Sequence, residues 1–313
     1  MIKQKNENKC DLSVVIPVYG CKEAIGELCT RLKSTLIKLK LHYEIILVDD
    51  CCPDDSWSVI TAISDKEKHI VGIKLSRNFG QHHAITAGLD FSKGQWIVVM
   101  DCDLQDKPEE IINLYNKAIE GFDIVVGKRN NRKDNILKKL SSKLFYIVFN
   151  YLTNQKLDNT VANFGIYSRR VIEEIKKFKE KDRSFGLLAV LVGFKRTEIN
   201  VVHGKRDKGK SSYNLNKRMN MAIDHILSHS VKPLMIGIKI GFIISIFSTI
   251  YIIKLVILYL LYGNKVDGWT SLSVSIFFLS GLIIAIVGIV GLYIGKIYDE
   301  VKNRPLYIID EIK

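Results

Sequence analysis

Residues 96–106 read W-I-V-V-M-D-C-D-L-Q-D, an apolar run that ends in a group of acidic residues. A short, continuously apolar run is typical of a strand that is covered on both faces of a sheet. Asp101 and Asp103 follow this run directly and are separated by one residue, and Gln105 is one further alternate position along. The segment therefore predicts a buried strand whose carboxyl end carries polar side chains at the rim of a sheet.

The same pattern extends outward from this strand in both directions. Short β-rich runs alternate with helix-like segments, which predicts an α/β fold with a parallel sheet covered on both faces. In such sheets ligands bind beyond the carboxyl ends of the strands. The strands are expected at residues 12–18, 44–48, 70–75, 96–100 and 123–126, and the helices near residues 23–40, 56–66, 82–91 and 108–120.

The polar residues after two of these strands are candidates for a binding site. Two carboxylates and an amide oxygen, from Asp101, Asp103 and Gln105, are hard ligands suited to Mg²⁺ or Mn²⁺. Roughly half of such acidic pairs are turn or N-cap residues ahead of a helix, so context has to decide. Asp49 and Asp50 form a second acidic pair at the end of an earlier strand.

Clusters of basic side chains are a second feature of the sequence before residue 232. The 313-residue chain carries a net charge of +13, and its basic residues cluster in two segments, 128–133 and 205–210. Neither a GxGxxG after the first strand nor a GxxxxGK[ST] is present, so a bound phosphate would need a metal and basic side chains. A solvated surface or attraction to anionic lipid is the alternative. No recognised nucleic-acid motif occurs, and we expect no nucleic-acid partner.

The composition changes beyond Lys232. Residues 268–295 contain no charged residue, and at about 1.5 Å per residue such a helix exceeds the roughly 30 Å hydrocarbon core of a bilayer. A second span is expected at residues 234–261, with Lys239 and Lys254 near its ends. Basic residues flank the pair on both outer sides, so the positive-inside rule places both flanks in the cytoplasm.

Two further observations concern the cell compartment. The first eleven residues are polar and contain no apolar stretch, so we expect no secretory signal there and expect the part of the chain before Lys232 in the cytoplasm. The six cysteines all lie within residues 10–102 and include no CxxC pair. They are expected to be reduced and mostly buried. We therefore predict a multi-pass protein of the inner (cytoplasmic) membrane.

Several segments together resemble the polyprenyl-phosphate glycosyltransferases of glycosyltransferase family 2, which include dolichyl-phosphate mannose synthase and bactoprenol glucosyltransferase. The segments are SVVIPVY (13–19), EIILVDD (44–50), SRNFGQHHAITAGLD (76–90), MDCDLQDKPE (100–109), RDKGKSSYNL (206–215) and EVKNRPLY (300–307). The resemblance implies a GT-A (Rossmann-like) fold and metal-dependent, inverting transfer of a hexose. The donor would be a UDP- or GDP-linked sugar, and the acceptor undecaprenyl or another polyprenyl phosphate at the cytoplasmic face, in the synthesis of a cell-envelope glycan.

The resemblance also implies roles for individual residues. Nucleotide binding falls on Pro17, Asp49, Asp50 and Asp101, metal binding on Asp101, Asp103 and Gln105, catalysis on Asp103, Arg129 and Arg206, and the acceptor phosphate on Arg129, Arg132, Lys208 and Lys210. The chain departs from the family pattern at Gly20, at Asn163, where many members carry an acid, and at Ser212, where many carry lysine.

The organisation that follows has three parts: a cytoplasmic GT-A catalytic domain (1–232), a two-helix transmembrane anchor (233–296) and a cytoplasmic tail (297–313). Residues 136–151 are expected to form an amphipathic helix on the bilayer, with a core helix as the alternative. Glycines in the second span allow close helix approach and hence homo-oligomers. Two other functions stay open: a family-2 transferase that extends a lipid-linked glycan, and an inactive membrane scaffold.

Overall fold

The computed structural model describes residues 10–129, 151–152, 161–202, 204, 226, 230–262 and 268–313. The chain divides into two compact units, each of which is discontinuous in sequence. The first, here the α/β unit, comprises Met1–Lys133, Asp158–Ser211 and Arg304–Lys313; the second, here the helical unit, comprises Asp134–Leu157 and Ser212–Asn303.

Within the described residues, the α/β unit contains eight strands: β1 (Leu12–Val18), β2 (Tyr43–Asp49), β3 (Ile70–Leu75), β4 (Trp96–Val99), β5 (Ile124–Arg129), β6 (Val161–Ser168), β7 (Arg196–Val201) and β8 (Ile309–Ile312). They form one mixed sheet of order β7-β5-β6-β4-β1-β2-β3-β8. Strands β1 to β4 run parallel, as predicted, whereas β6 is antiparallel to both β4 and β5, and β8 is antiparallel to β3.

Helices cover both faces of this sheet, which confirms the predicted α/β class. Side chains alternate along the central strand β1: Val14 and Ile16 belong to one buried cluster, and Val15 belongs to the other. The helices α1 (Lys22–Leu39), α2 (Ser56–Ser64) and α4 (Ile111–Ile119) pack on the first face, and α3 (Gln81–Phe91), α5 (Arg169–Lys177) and α6 (Phe185–Leu191) on the second.

The order of the strands reverses at β1, because β2 and β3 follow on one side and β4 lies on the other. Such a reversal opens a crevice at the carboxyl ends of the two strands beside it. The β1–β4 pairing ends at Val15 and Val99, whereas the β1–β2 pairing continues to Asp49. Pro17, which has no N–H to donate, therefore lies beyond the last pairing with β4.

The last residues of the chain form a strand of the sheet, which differs from the expected organisation. Residues 297–313 were expected to form a tail, but β8 pairs with β3 and covers its open edge. Gly72 and Lys313 exchange two backbone hydrogen bonds of 2.9 Å, and the indole of Trp57 donates to Glu311 at 3.0 Å. The strand was missed because it is only four residues long and two of the four are acidic.

The helical unit contains α7 (Lys232–Tyr262) and α8 (Trp269–Val301). Both are long and apolar enough to cross a membrane, over Lys232–Leu255 and Phe278–Val301, as the sequence predicted. The hydroxyl of Tyr293 on α8 donates a 2.6 Å hydrogen bond to the carbonyl of Ser230, just before α7. The expected surface helix at residues 136–151 lies outside the described residues except for Tyr151 at its end.

Candidate functional site

Asp50 directly follows β2, and its carboxylate organises the neighbouring loop after β3. The side chain is buried, and its two oxygens accept backbone N–H groups from Phe79 at 2.7 Å and Gly80 at 2.8 Å. Burial raises the pKa of Asp50, and these two hydrogen bonds oppose the rise. Asp50 therefore holds the segment that leads into α3.

Asp49 is buried as well, but its carboxylate is only partly satisfied. Its Oδ1 accepts the backbone N–H of Cys52 at 3.3 Å, whereas Oδ2 has no hydrogen-bond partner among the described residues. Burial raises the pKa of this carboxyl group too. Because buried polar atoms are nearly always paired, Oδ2 is an acceptor that a ligand N–H would satisfy.

The acidic loop after β4 forms a tight turn at the other side of the crevice. Asp103 Oδ1 accepts the backbone N–H of Gln105 at 3.2 Å, and Leu104 between them adopts a positive φ of 58°. Asp101 Oδ1 accepts a 2.6 Å hydrogen bond from the side-chain amide of Gln81 on α3. The contact between Gln81 and Asp101 connects the start of α3 to the loop after β4.

The donor set of this loop fits a divalent metal that shares its coordination with a substrate. Among the described residues, no group of three or more His, Cys, Asp or Glu side chains could hold a metal ion. Mg²⁺ and related ions in nucleotide sites are commonly bound by one or two carboxylates, with phosphate and water oxygens completing the shell. Asp101 and Asp103 supply such a pair, and Gln105 adds a neutral oxygen.

The acidic loop is also bonded to the chain that follows β7. The N–H of Gly204 donates to the carbonyl of Gln105 at 2.8 Å, and that of Val202 donates to Glu110 at 3.4 Å. Gly204 directly precedes the basic segment 205–210. The residue that precedes this segment is therefore bonded to the acidic loop.

The strands that lead to the two basic segments, β5 and β7, are adjacent in the sheet. Arg129, the last residue of β5, pairs with Val201, the last residue of β7, and the neighbouring Lys128 forms an ion pair with Glu198 at 3.2 Å. The structure thus brings the backbone of Arg129 to the strand that leads towards Gly204. The other basic candidates lie outside the described residues: Arg132, Arg206, Lys208 and Lys210.

A disulfide bond joins the loops after β1 and β4, although all the cysteines were expected to be reduced. Cys21 follows β1, Cys102 stands between Asp101 and Asp103, and the two are joined with their Cα atoms 6.4 Å apart. The prediction that all six cysteines are reduced is wrong for this pair, whereas the other four are free thiols. The residues are 81 positions apart, and only the adjacency of β1 and β4 could have indicated the bond.

Sequence reasoning also missed Gln81 and Gly204. Gln81 follows the turn residue Gly80, whose φ of 96° favours glycine. Its position at the start of a predicted helix, close to the end of a predicted strand, was the one feature of the sequence that could have indicated a role in the site. Gly204 precedes a basic segment and gave no signal of its own, because its role is a backbone hydrogen bond.

The chain matches one family model and is similar over nearly its whole length to known proteins, three of which are described here. Residues 13–176 match the model of glycosyl transferase family 2. An uncharacterized glycosyltransferase of Bacillus subtilis, YkcC, is 36% identical over 96% of this chain and 93% of its own length. An undecaprenyl-phosphate 4-deoxy-4-formamido-L-arabinose transferase of Shewanella sediminis is 35% identical, covering 98% and 94%. A bactoprenol glucosyl transferase of Shigella phage SfII is 35% identical, covering 95% and 97%.

Proposed function

Because this chain belongs to glycosyl transferase family 2 and is a glycosyltransferase, we propose that it transfers a hexose from a UDP- or GDP-linked sugar to undecaprenyl or another polyprenyl phosphate. The observation that carries the proposal is the arrangement at the crevice. The acidic loop of Asp101 and Asp103 lies beside the reversal of strand order, and the chain that leads into a basic segment is bonded to the same loop through Gly204.

The acceptor class is supported by relatives that match both units of the chain. Two of the three relatives described above carry undecaprenyl phosphate or bactoprenol in their names, and each covers at least 95% of this chain. The match therefore includes α7 and α8 as well as the sheet. A lipid acceptor fits a chain in which two long apolar helices accompany an α/β unit.

The nucleotide is proposed to lie at the carboxyl ends of β1 and β2. Pro17, Asp49, Asp50 and Asp101 surround that edge, and Asp49 Oδ2 is the acceptor available for an N–H of the base. Uracil and guanine both carry such an N–H, so this contact is compatible with either a UDP- or a GDP-linked donor. Asp50 contributes through the loop that its carboxylate holds.

Asp101, Asp103 and Gln105 are proposed to hold Mg²⁺ or Mn²⁺. When bound, the metal would offset the negative charge that develops on the leaving nucleoside diphosphate. The turn that Asp103 makes with Gln105 orients both residues before any ligand arrives. Asp103 and the basic residues Arg129 and Arg206 are proposed as the groups closest to the reacting phosphates.

The acceptor needs charge screening more than deprotonation. A phosphate monoester has a second pKa of about 6, so most of it is dianionic at pH 7. One phosphate oxygen attacks the anomeric carbon as the bond to the diphosphate breaks, and a single in-line displacement inverts that centre. Basic side chains hold the acceptor phosphate in this proposal: Arg129, Arg132, Lys208 and Lys210.

The proposed location is the inner membrane, with α7 and α8 as the anchor of a multi-pass protein and the α/β unit in the cytoplasm. Basic residues precede α7 and follow the apolar part of α8, in accordance with the positive-inside rule. The catalytic part then corresponds to residues 1–232, together with the C-terminal strand β8.

The test uses the full-length chain in membranes of a host without the activity, supplied with undecaprenyl phosphate and radiolabelled UDP-glucose, UDP-GlcNAc or GDP-mannose. We expect one donor to give a lipid-linked monophosphate sugar, labile to mild acid, whose formation EDTA abolishes and Mg²⁺ or Mn²⁺ restores. Asp103→Asn should abolish the product, whereas Asp65→Asn, which changes an exposed aspartate just after α2 and ahead of the amino end of β3, should not.

Each alternative gives a different result in the same assay. A transferase that extends a glycan would label only preassembled lipid-linked sugars and leave undecaprenyl phosphate unchanged. A scaffold would give no labelled lipid with any donor. Either result would overturn the proposed function.

A further inference from the structure

The side chain of Gln81 reaches from the start of α3 to the acidic loop. It is the first residue of α3, and its exposed side-chain amide donates to Asp101 Oδ1 at 2.6 Å. Hydrogen bonds to an ionised acceptor are roughly twice as strong as those between neutral groups. The contact limits the rotation of the Asp101 carboxylate about its side-chain bonds.

The helix that carries Gln81 is itself rigidly placed. A Cβ added to Gly88 would lie 2.4 Å from Cγ1 of Val15 and 3.1 Å from Cγ2 of Val48, so α3 packs directly on β1 and β2. Precise orientation of a ligand-binding group requires a partner on such a rigid element. α3 provides one, because its middle cannot move towards the sheet.

The start of α3 is held as well. Asp50 accepts the N–H groups of Phe79 and Gly80, and the carbonyl of Gly80 accepts the first helical N–H groups, from His83 at 3.0 Å and Ala84 at 3.1 Å. The position of Gln81 is therefore set by a buried carboxylate at the end of β2. Asp50 is thus connected to Asp101 through its hydrogen bond to Gly80, the peptide bond from Gly80 to Gln81, and the hydrogen bond from Gln81 to Asp101.

We propose that Gln81 is a positioning residue for the metal ligand Asp101. The inference rests on the proposed function, because it requires the metal site of that proposal. Gln81 donates through its amide nitrogen to Oδ1 and so directs the carboxylate for coordination without binding the metal through that atom. Partners of this kind typically change metal affinity by about 10- to 100-fold when they are removed.

The chain offers a matched pair of variants for the test. Gln81→Met keeps the length of the side chain and removes the donor, and Gln95→Met makes the same change at another exposed glutamine, ahead of β4. The full-length protein in detergent is titrated with Mn²⁺ alone, and free Mn²⁺ is followed by electron paramagnetic resonance. Thermal unfolding of both variants checks the fold.

We expect the dissociation constant for Mn²⁺ to rise about tenfold or more in Gln81→Met and to stay unchanged in Gln95→Met. In the transfer assay, the concentration of Mn²⁺ that gives half-maximal activity should rise by the same factor. The rate at saturating Mn²⁺ should fall less than the affinity, because excess metal selects the coordinating orientation of Asp101. A purely structural contact would not separate these two quantities.

Equal Mn²⁺ affinity in wild type and Gln81→Met, with loss of binding in Asp101→Asn, would overturn the positioning role. So would the absence of Mn²⁺ binding in the wild type. The proposed function fails independently, by the absence of labelled lipid. A tenfold change in Mn²⁺ affinity without any sugar transfer would support the role of Gln81 and reject the transferase.

Discussion

Cys21 and Cys102 form a disulfide that joins the carboxyl end of β1 to the acidic loop after β4, with the Cα atoms 6.4 Å apart. The bond spans the place where the strand order reverses, and the β1–β4 pairing has already ended at Val15 and Val99. It therefore connects two loops that backbone hydrogen bonds of the sheet no longer connect. Asp101 and Asp103 are the residues directly before and after Cys102.

The first prediction concerns this bond. Alkylation of the denatured, unreduced protein should modify four cysteines, and prior reduction should raise the number to six. Cys102→Ser should lower the free energy of unfolding of the α/β unit by about 2–4 kcal/mol, because the bond closes a long loop of the unfolded chain. Mass spectrometry counts the thiols, and urea unfolding measures the stability.

Cys51→Ser is the matched control, because Cys51 is an exposed free thiol. It should lower the number of alkylated cysteines by one and leave the stability within about 0.5 kcal/mol of wild type. Six alkylated cysteines without prior reduction would contradict the disulfide in the isolated protein.

The second prediction tests the close packing of α3 on the sheet. Gly88→Ala would place a Cβ 2.4 Å from Val15 and should destabilise the protein by about 1–3 kcal/mol, since an extra carbon in a packed core forces its neighbours to move. Gly26→Ala, in α1 with no atom within 4 Å of the added Cβ, should stabilise by up to about 1 kcal/mol. Urea unfolding of the two variants should give opposite signs; a stabilised Gly88→Ala would show that α3 has space to move.

The third prediction concerns the pH dependence of an ion pair at the start of β5. Arg170 donates two hydrogen bonds to Asp123, Ser168 donates a third at 3.0 Å, and these contacts hold the pKa of Asp123 below its ordinary 3.8. Because the native pKa is the lower one, the stabilisation is present above about pH 4 and is lost as the pH falls through the native value.

Asp123→Asn should therefore lower the free energy of unfolding by about 1–3 kcal/mol at pH 7. The difference from wild type should shrink when the same urea titration is carried out at progressively more acidic pH. Asp65→Asn, at an exposed site, provides the comparison. A loss that is the same at every pH would show that packing, rather than charge, accounts for the effect.

The sequence predicted the first half of the α/β unit well, because its strands are continuously apolar and their helices are amphipathic. The predicted strand at residues 12–18 is β1, and the predicted run 70–75 is β3. The antiparallel β6 was not predicted, since V-A-N-F-G-I-Y-S contains polar residues and glycine and pairs with β4 from a distant part of the chain. β8 depends on an open edge of β3 that only the assembled sheet reveals.

The site, too, was predicted only in part: its acidic residues were identified, but the contacts between them and the rest of the chain were not. Asp49, Asp50, Asp101 and Asp103 were identified because acidic residues directly after apolar strands form a local pattern. The contacts that organise them are not local: the distance in sequence from Asp50 to Gly80 is 30 residues, and from Gln81 to Asp101 it is 20. Such pairs follow from the order of the strands, which no short segment specifies.

The last prediction tests whether the reaction needs a general base. Asn163 stands in β6 where many family members carry an acid, and the proposed acceptor is already dianionic at pH 7. A general base contributes about 10²–10⁴-fold to a rate, so Asn163→Ala should reduce the turnover number by less than about tenfold, and Asn163→Asp should add no new pH dependence. The turnover number, measured from pH 5.5 to 9 with the labelled donor, checks both. A loss of several orders of magnitude in Asn163→Ala, with a new ionisation in Asn163→Asp, would show that this position takes part in proton transfer and that the lipid phosphate does not react unaided.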